Sequence, residues 1–410
     1  MVRRNVYIER VLPFIDKDLI KVITGIRRCG KSVVLGLIQE ELITQGVKPG
    51  NFLSFNFEDM EYAPLCTAQA LHDHLKKKIA GIKGKVYLFF DEIQEVADWE
   101  KCVNSLRVSF DTDIYITGSN AALLSGELAT YLAGRYVEIT IYPFSFSEFL
   151  ELYRFQNPLI TESEAFNKYI ALGGMPFLHN LQFEEAASNQ YLKDVYNSVV
   201  LKDIMRRNNI RDVDLLERII LYVMSNTGQP FSATSLSKFL KSENRTVAPE
   251  TILNYIKACE NAFLFYRARR QDLKGKKILR VNEKYYIADH GLGAAVCGRN
   301  AIDINLILEN IVYMELRRRG YSITVGKADE KEIEFVGEKQ GERIYVQVAY
   351  LLASPDTIAR EFEPLLDIRD NYPKYVLSMD EFNFSREGII HRNVREWVME
   401  ISNTRPMPPC

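Results

Sequence analysis

The residues from Gly25 to Ser32 have the types and spacing needed to bind a phosphate group. They read Gly-Ile-Arg-Arg-Cys-Gly-Lys-Ser and match the pattern GxxxxGK[ST]. In such a loop the glycines let the backbone curl until successive N–H groups point at the phosphates, the lysine adds a mobile positive charge, and the serine hydroxyl can ligate Mg²⁺. The predicted binding residues are Gly25, Ile26, Arg27, Arg28, Cys29, Gly30, Lys31, Ser32 and Val33, with Ser32 also a magnesium ligand.

A pair of acids, Asp91 and Glu92, follows the apolar run at residues 86–90. A buried parallel strand is apolar throughout, and ligands bind beyond its carboxyl end. Asp91 is therefore predicted to hold Mg²⁺ through water, and Glu92 to polarise the water that attacks the γ-phosphate. A strand ending in a solvated acidic turn is the alternative, which the phosphate-binding loop disfavours.

Two further features could complete this chemistry. Ser119 and Asn120 follow another apolar run, so either could bridge the attacking water and the γ-phosphate; Asn120 is preferred, and ordinary turn residues are the alternative. Arg135 precedes the last predicted strand of this region. Its guanidinium could stabilise the transferring phosphoryl group, in its own subunit or a neighbouring one, or it could form a structural salt bridge.

A parallel sheet is needed to bring these residues together. The first 150 residues alternate short apolar runs with amphipathic stretches, which is typical of an α/β domain with a parallel sheet. The sheet should place the ends of its strands, and the residues that follow them, at one edge. The predicted strands are Ile20–Thr24, Phe52–Phe57, Val86–Phe90, Ile114–Thr117 and Tyr136–Ile141.

Length and composition fit a globular protein of two to four domains, with 410 residues, 47% hydrophobic and 26% charged. No apolar run approaches the roughly 18 residues of a membrane span. The six cysteines and five histidines show neither a disulfide framework nor zinc-ligand spacing. We therefore expect a cytoplasmic protein.

Several segments together resemble the bacterial and archaeal AAA+-like ATPases that carry a C-terminal domain of unknown function. The resemblance extends from about Val2 to Met399. It implies the strand order 5-1-4-3-2, ATP as the nucleotide with Mg²⁺, and an ATPase followed by a winged helix and a nuclease-like module. The matching segments are residues 24–32, 55–58, 90–95, 116–120, 134–135 and 143–149.

Residues 211–300 form a basic region, with 15 basic against 9 acidic side chains. Three predicted helices, Leu215–Asn226, Ser232–Lys241 and Pro249–Asn261, precede a β-hairpin, the arrangement of a winged helix. A cluster of basic side chains on the hairpin would attract nucleic-acid phosphates without reading sequence. Winged helices also serve as packing modules, which is the alternative. The basic hairpin residues are Arg267, Arg269, Arg270, Lys274, Lys276, Lys277 and Arg280.

The C-terminal region resembles a PD-(D/E)xK nuclease core. The resemblance places its helix acid at Glu309 and its strand acid at Glu334. The positions of the second strand acid and the lysine are Gln347 and Ala349. A neutral amide is a weaker Mg²⁺ ligand than a carboxylate, and alanine cannot activate water. We therefore expect a structural or binding module without nuclease activity.

The predicted domains are an ATPase (1–150), a helical lid or linker (151–211), a winged helix (212–300), a degenerate nuclease-like α/β module (301–402) and a disordered tail (403–410). The first functional hypothesis is a Mg²⁺-dependent ATPase that couples nucleotide state to the later modules. The alternative is a nucleotide-dependent switch or scaffold with negligible turnover. Its partner could be nucleic acid, another protein or a second copy of the chain.

Overall fold

The computed structural model describes residues 2–121, 132–273, 277–298, 302–328 and 331–400, without the side chains of 277–281 and 328. The predicted tail at 403–410 lies outside the described residues. The chain forms two compact units: the first holds residues up to Pro143 together with Asn261–Phe263, and the second holds Phe144–Glu260 and the residues from Leu264 onward. Within the described ranges, no helix is long and apolar enough to cross a membrane.

Five parallel strands form the sheet of the first unit, in the order β2-β3-β4-β1-β5. This is the predicted order 5-1-4-3-2 counted from the other edge, so the α/β class and the strand order are confirmed. All of β3 is buried, as expected for an inner strand of a parallel sheet. The strands are β1 (Ile20–Thr24), β2 (Phe52–Asn56), β3 (Val86–Asp91), β4 (Thr112–Gly118) and β5 (Tyr136–Thr140).

Four helices of the first unit are α1 (Asn5–Val11), α2 (Lys31–Thr44), α3 (Ala68–Ile79) and α4 (Trp99–Ser109). Leu71 of α3 and Leu106 of α4 are fully buried in one cluster with Phe90 of β3. Burying each such side chain contributes roughly 1.5–3 kcal/mol, which fixes these helices against the sheet. The position of β3, and of the acids that follow its apolar run, is fixed by the same packing.

The helices after residue 144 follow the predicted pattern closely. Gly173 ends α6 with φ +76°, and a Cβ on Gly174 would lie 2.2 Å from the carbonyl oxygen of Phe144, so the turn after α6 requires both glycines. A π-helical stretch, Val199–Arg206, continues α7. The helices are α5 (Phe146–Gln156), α6 (Glu162–Leu172), α7 (Glu185–Ser198), α8 (Val213–Ser225), α9 (Ala233–Ser242), α10 (Pro249–Asn261), α11 (His290–Cys297), α12 (Ile304–Arg318), α13 (Pro355–Leu366) and α14 (Val394–Met399).

A seven-stranded mixed sheet, in the order β12-β11-β10-β9-β8-β6-β7, belongs to the second unit. The predicted hairpin is present as β6 and β7, but β6 also pairs in parallel with β8. The hairpin is therefore continuous with the C-terminal sheet, because pairing with β8 satisfies the backbone groups of its outer edge. The strands are β6 (Phe265–Asp272), β7 (Lys277–Ile287), β8 (Ser322–Ala328), β9 (Lys331–Lys339), β10 (Glu342–Val348), β11 (Lys374–Ser378) and β12 (Ile390–Asn393).

Candidate phosphate-binding site

The loop between β1 and α2 requires glycine at both ends. Gly25 has φ +145°, and a Cβ there would lie 2.2 Å from the carbonyl oxygen of Ile141. Gly30 has φ +97° and is the N-cap of α2. Because Gly30 has no side chain to cap the helix, the first N–H groups of α2 are left for an anion, and the helix dipole favours negative charge there.

Lys31 lies within the curl of this loop. Its ammonium donates to the carbonyl oxygens of Gly25 at 3.2 Å and Ile26 at 3.4 Å. It also lies 3.4 Å from a carboxylate oxygen of Glu92. The side chain is 4% exposed, so the loop and the acid enclose its charge. Lys31 thus joins the phosphate-binding loop to the residue that follows β3.

Asp91 lies beside Ser32, the other predicted magnesium ligand. Its carboxylate accepts hydrogen bonds from the Ser32 hydroxyl and from the Thr117 hydroxyl. Burial raises the pKa of Asp91, and these two hydrogen bonds oppose the shift. A hydroxyl and a carboxylate in contact are oxygen ligands suited to Mg²⁺, which takes few protein ligands beside water and phosphate. The two residues therefore fit the predicted metal role.

Glu92 stands in the left-handed region, with φ +52°. Its backbone N–H donates to the Thr117 hydroxyl at 2.9 Å, and its carboxylate accepts from the Gln94 amide. Burial by itself raises the pKa of Glu92, but the charge of Lys31 and the Gln94 hydrogen bond outweigh it and hold the pKa below its ordinary value. Glu92 is therefore an anion at neutral pH, the state a general base requires.

Ser119 and Asn120 follow β4 and are almost fully buried, at 0% and 2% exposed. Parallel pairing of β4 with β3 places them at the same sheet edge as Asp91, as predicted. Thr117, which sequence reasoning missed, is the residue that contacts both acids. Its signal was a hydroxyl residue directly after the apolar run at residues 114–116.

Arg135 lies at the amino-terminal ends of the strands, opposite the ends that hold the phosphate-binding loop. Its backbone carbonyl accepts from the Ile20 N–H at the start of β1, whereas the phosphate-binding loop follows the end of β1. Five strand residues at about 3.3 Å each separate the two edges by about 16 Å. The side chain is exposed and donates to Asn104 at 3.2 Å. Arg135 is therefore not brought to the loop of its own chain.

The other loop residues divide into buried and outward positions. Ile26 and Cys29 are fully buried, whereas Val33 is 42% exposed. Arg27 forms a 2.9 Å ion pair with Glu58, an acid just after β2, and Arg28 has φ +68°. Sequence reasoning left open whether these arginines contact phosphate or an acid. It did not single out Glu58, Gln94 or Arg4.

Two arginines of the basic hairpin are already paired within the second unit. Arg267 contacts Glu260 at 3.1 Å and Glu283 at 3.2 Å, and Arg270 contacts Glu332 at 2.8 Å. Arg269 is exposed. Lys274 and Lys276 lie outside the described residues, as do the side chains of Lys277 and Arg280. Arg267 and Arg270 thus form ion pairs with acids of the second unit, and Arg269 is exposed to solvent.

The acids that were predicted to belong to a nuclease-like core lie beside a lysine that the sequence pattern did not place there. Lys284 of β7 contacts Glu309 at 3.2 Å and Glu332 at 2.9 Å. Burial by itself lowers the pKa of Lys284, but these carboxylates outweigh it and raise the pKa. Burial, and then the charge of Glu309, raise the pKa of Glu334 well above its ordinary value.

Gln347 and Ala349 are buried beside this cluster, and Gln347 accepts from the Glu334 N–H at 2.7 Å. The amide oxygen of Gln347 is thus engaged in a backbone hydrogen bond within the sheet. In the part of the chain that the structure describes, no group of three or more His, Cys, Asp and Glu side chains is arranged to hold a metal ion.

Comparison with family models matches two segments of the chain. Residues 17–150 match an AAA domain. Residues 163–303 match a domain of unknown function (DUF8612), which spans most of the predicted linker and all of the predicted winged helix. The first match contains the phosphate-binding loop, Asp91, Glu92 and Arg135.

Whole-chain relatives occur in bacteria and archaea. The chain is 41% identical over 401 residues to an uncharacterized protein of Haemophilus influenzae, covering 98% of this chain and 99% of that protein. It is 30% identical over 371 residues to an uncharacterized protein of Methanocaldococcus jannaschii, covering 85% and 80%. Among solved structures, a Walker-type ATPase of Pyrococcus abyssi is similar in fold, with a TM-score of 0.50 and 16% identity over 72% of this chain and 95% of that one.

Proposed function

The chain belongs to the family of these Haemophilus influenzae and Methanocaldococcus jannaschii proteins and carries an AAA-type P-loop ATPase domain; from this premise we propose that it binds ATP with Mg²⁺ and hydrolyses it. The observation that carries the proposal is the meeting of Lys31, Asp91 and Glu92 at one edge of a parallel sheet. A cation, a metal-binding carboxylate and an anionic base are the groups that phosphoryl transfer to water needs.

Each residue has a distinct proposed role. The N–H groups from Gly30 onward and the Lys31 ammonium bind the phosphates. Ser32 and Asp91 hold Mg²⁺, which neutralises phosphate charge when bound. Glu92 accepts a hydrogen bond from the attacking water and orients it, and the buried polar residues after β4 position that water.

A switch with slow turnover is the second candidate, and one contact favours it. Lys31 and Glu92 are 3.4 Å apart, so the general base is held by the cation that must bind phosphate. Nucleotide has to separate this pair before either residue can act. Nucleotide state would then control the second unit, and its partner, another protein or nucleic acid, would set the rate.

Nucleic-acid binding by the predicted winged helix remains a weaker proposal, because Arg267 and Arg270 are engaged in ion pairs. Displacing them from Glu260 and Glu332 would offset part of any phosphate attraction. Nuclease activity is not proposed, since the position of the second strand acid holds Gln347, a weaker Mg²⁺ ligand whose amide oxygen accepts from the Glu334 N–H.

Substituting Lys31 tests the ATP site. We expect Lys31→Ala to weaken ATP binding at least tenfold, because losing one charge-assisted phosphate contact costs about 1.5–3 kcal/mol. Titration calorimetry with ATP and Mg²⁺ measures the ATP affinity of the variant and of the parent. Lys48→Ala is the matched control, since Lys48 is exposed beyond the end of α2. Equal affinity in Lys31→Ala and the parent would refute the assignment of the loop.

A further inference from the structure

Arg4 is a buried arginine beside the phosphate-binding loop. It is 4% exposed and precedes α1 in the left-handed conformation, with φ +43° and ψ +45°. A residue with a Cβ rarely adopts this conformation, and a guanidinium loses hydration when it is buried. Such costs persist where the surrounding structure imposes them. The contacts of Arg4 identify that surrounding structure.

The two ends of the guanidinium bind two different backbone segments. One nitrogen donates to the carbonyl oxygen of Cys29, inside the loop, at 2.8 Å. The other donates to the carbonyl oxygen of Tyr142, just beyond β5, at 2.7 Å. The guanidinium carbon also lies 4.6 Å from the ring centroid of Tyr7. Arg4 therefore links α1, the phosphate-binding loop and the segment after β5.

Tyr7 fixes the third side of this arrangement. It is fully buried, and its hydroxyl accepts a hydrogen bond from the Tyr142 N–H at 3.1 Å. Gly25 closes against the neighbouring Ile141 carbonyl, as described above. The segment after β5 thus supports both ends of the loop, directly at Gly25 and through Arg4 at Cys29.

The bond to Cys29 orients a peptide that the loop needs. A trans peptide is planar, so the Cys29 carbonyl and the Gly30 N–H point in opposite directions. Since Arg4 holds that carbonyl, the Gly30 N–H is directed away from Arg4. Gly30 is the N-cap of α2, and its N–H is among those proposed to bind phosphate. Without Arg4 this peptide could rotate, because the flanking glycine offers little resistance.

We propose that Arg4 is a positioning residue that holds the Cys29–Gly30 peptide in its phosphate-binding orientation. The inference rests on the proposed function, because it assigns Arg4 a part in ATP affinity. Arg4 touches neither phosphate nor water in this role. It acts through the loop backbone, and its effect appears in binding more than in the rate of the bound complex.

Three variants test the role. We expect Arg4→Met to weaken ATP binding about tenfold or more, and Arg4→Lys to restore part of it, since one ammonium can reach one of the two carbonyls. Arg3→Met is the matched control: Arg3 is the adjacent arginine, but its partner is Glu41 on the surface of α2 at 3.2 Å. We expect parental affinity for Arg3→Met.

Calorimetry with ATP and Mg²⁺, on the full chain and below the melting temperature of every variant, gives the result. A lower melting temperature for Arg4→Met with parental ATP affinity would show a purely structural role and overturn the proposal. If Arg4→Met does not fold, Arg4→Lys decides: parental affinity there overturns it, and a severalfold loss supports it. A parent protein that binds no ATP would contradict the proposed function instead.

Discussion

At the scale of single residues, Lys31 and Glu92 restrain each other. Their 3.4 Å ion pair lowers the pKa of Glu92 against the effect of burial, so the base is kept anionic by the same cation that is proposed to bind phosphate. Arrival of a phosphate adds negative charge beside Glu92. If the loop binds phosphate as proposed, nucleotide binding therefore alters the ion pair that holds Glu92.

This arrangement predicts the behaviour of Glu92→Gln. The amide keeps the shape of the side chain but removes its charge, so ATP binding should be retained or tightened. Hydrolysis should slow by about 10²-fold or more, the usual contribution of a general base. Single-turnover assays measure the rate, and calorimetry measures the affinity.

Glu95→Gln is the control, because Glu95 is an exposed acid in the same turn. If the parent protein hydrolyses ATP slowly and Glu92→Gln hydrolyses it at the same rate, the result would favour the switch with negligible turnover over the ATPase.

At the scale of elements, α6 and α11 are joined through buried polar groups. The His290 Nε2 donates to the carbonyl oxygen of Tyr169 at 2.7 Å, and the Gly174 N–H donates to Asp289 at 2.6 Å. A Cβ on Gly173 would lie 2.2 Å from the Asp289 carboxylate. This close approach explains why residue 173 is glycine, and the Phe144 carbonyl oxygen excludes a Cβ at Gly174.

The buried His290 in this contact between α6 and α11 predicts a pH dependence of stability. Burial lowers the pKa of His290 against the attraction of Asp289, so the folded chain keeps this imidazole neutral. The unfolded chain protonates it below pH about 6.5, so His290 contributes a decrease in the free energy of unfolding as pH falls through that range. His290→Gln should reduce this slope by up to about 1.4 kcal/mol per pH unit. Part of the slope should remain, because burial also lowers the pKa of His391.

Denaturant unfolding at pH 7 and pH 5.5 measures the slope. Trp397 is buried in the second unit, so its fluorescence in a Trp99→Phe background follows that unit alone. His72→Gln, at a partly exposed histidine of the first unit, is the control. A slope equal to that of the parent in His290→Gln would show that this imidazole is not the titrating group.

At the scale of the whole molecule, the placement of Arg135 separates two of its proposed roles from the third. Its backbone lies at the start of β1 and the loop of its own chain at the end, about 16 Å away along the strand, so an arginine acting within one subunit does not fit. An arginine lent to a neighbouring subunit and a structural arginine bound to Asn104 both fit. The lent arginine requires subunits to adjoin.

If Arg135 acts in a neighbouring subunit, specific ATPase activity should rise with protein concentration. Arg135→Ala should then lower kcat by about 10³-fold or more with ATP affinity nearly intact. Mixing Arg135→Ala with Glu92→Gln subunits should recover part of the activity. Lys101→Ala is the control, since Lys101 lies on the same helix as Asn104 and pairs with Asp98. No recovery in a verified mixed oligomer would reject the lent arginine.

The sequence by itself determined the features that local pattern encodes. Gly25 and Gly30 predict the loop because their conformations are local, and the apolar run before Asp91 predicts β3 because burial of a parallel strand leaves that pattern. The strand order was available through the family resemblance. The loop, the strand pattern and the strand order together predicted which ends of the strands hold the candidate site.

Only the tertiary structure decided which distant groups meet. Thr117, Arg4 and Lys284 contact their partners across 25 or more residues of sequence, and an ion pair or hydrogen bond of that span leaves no periodic signal. Lys21 inside β1 is the clearest case: a buried cation is tolerated there because Asp113 of β4 accepts from it, as the parallel register allows. Pairing of β6 with β8 was likewise undetermined, because strand alternation specifies a face but not a neighbour.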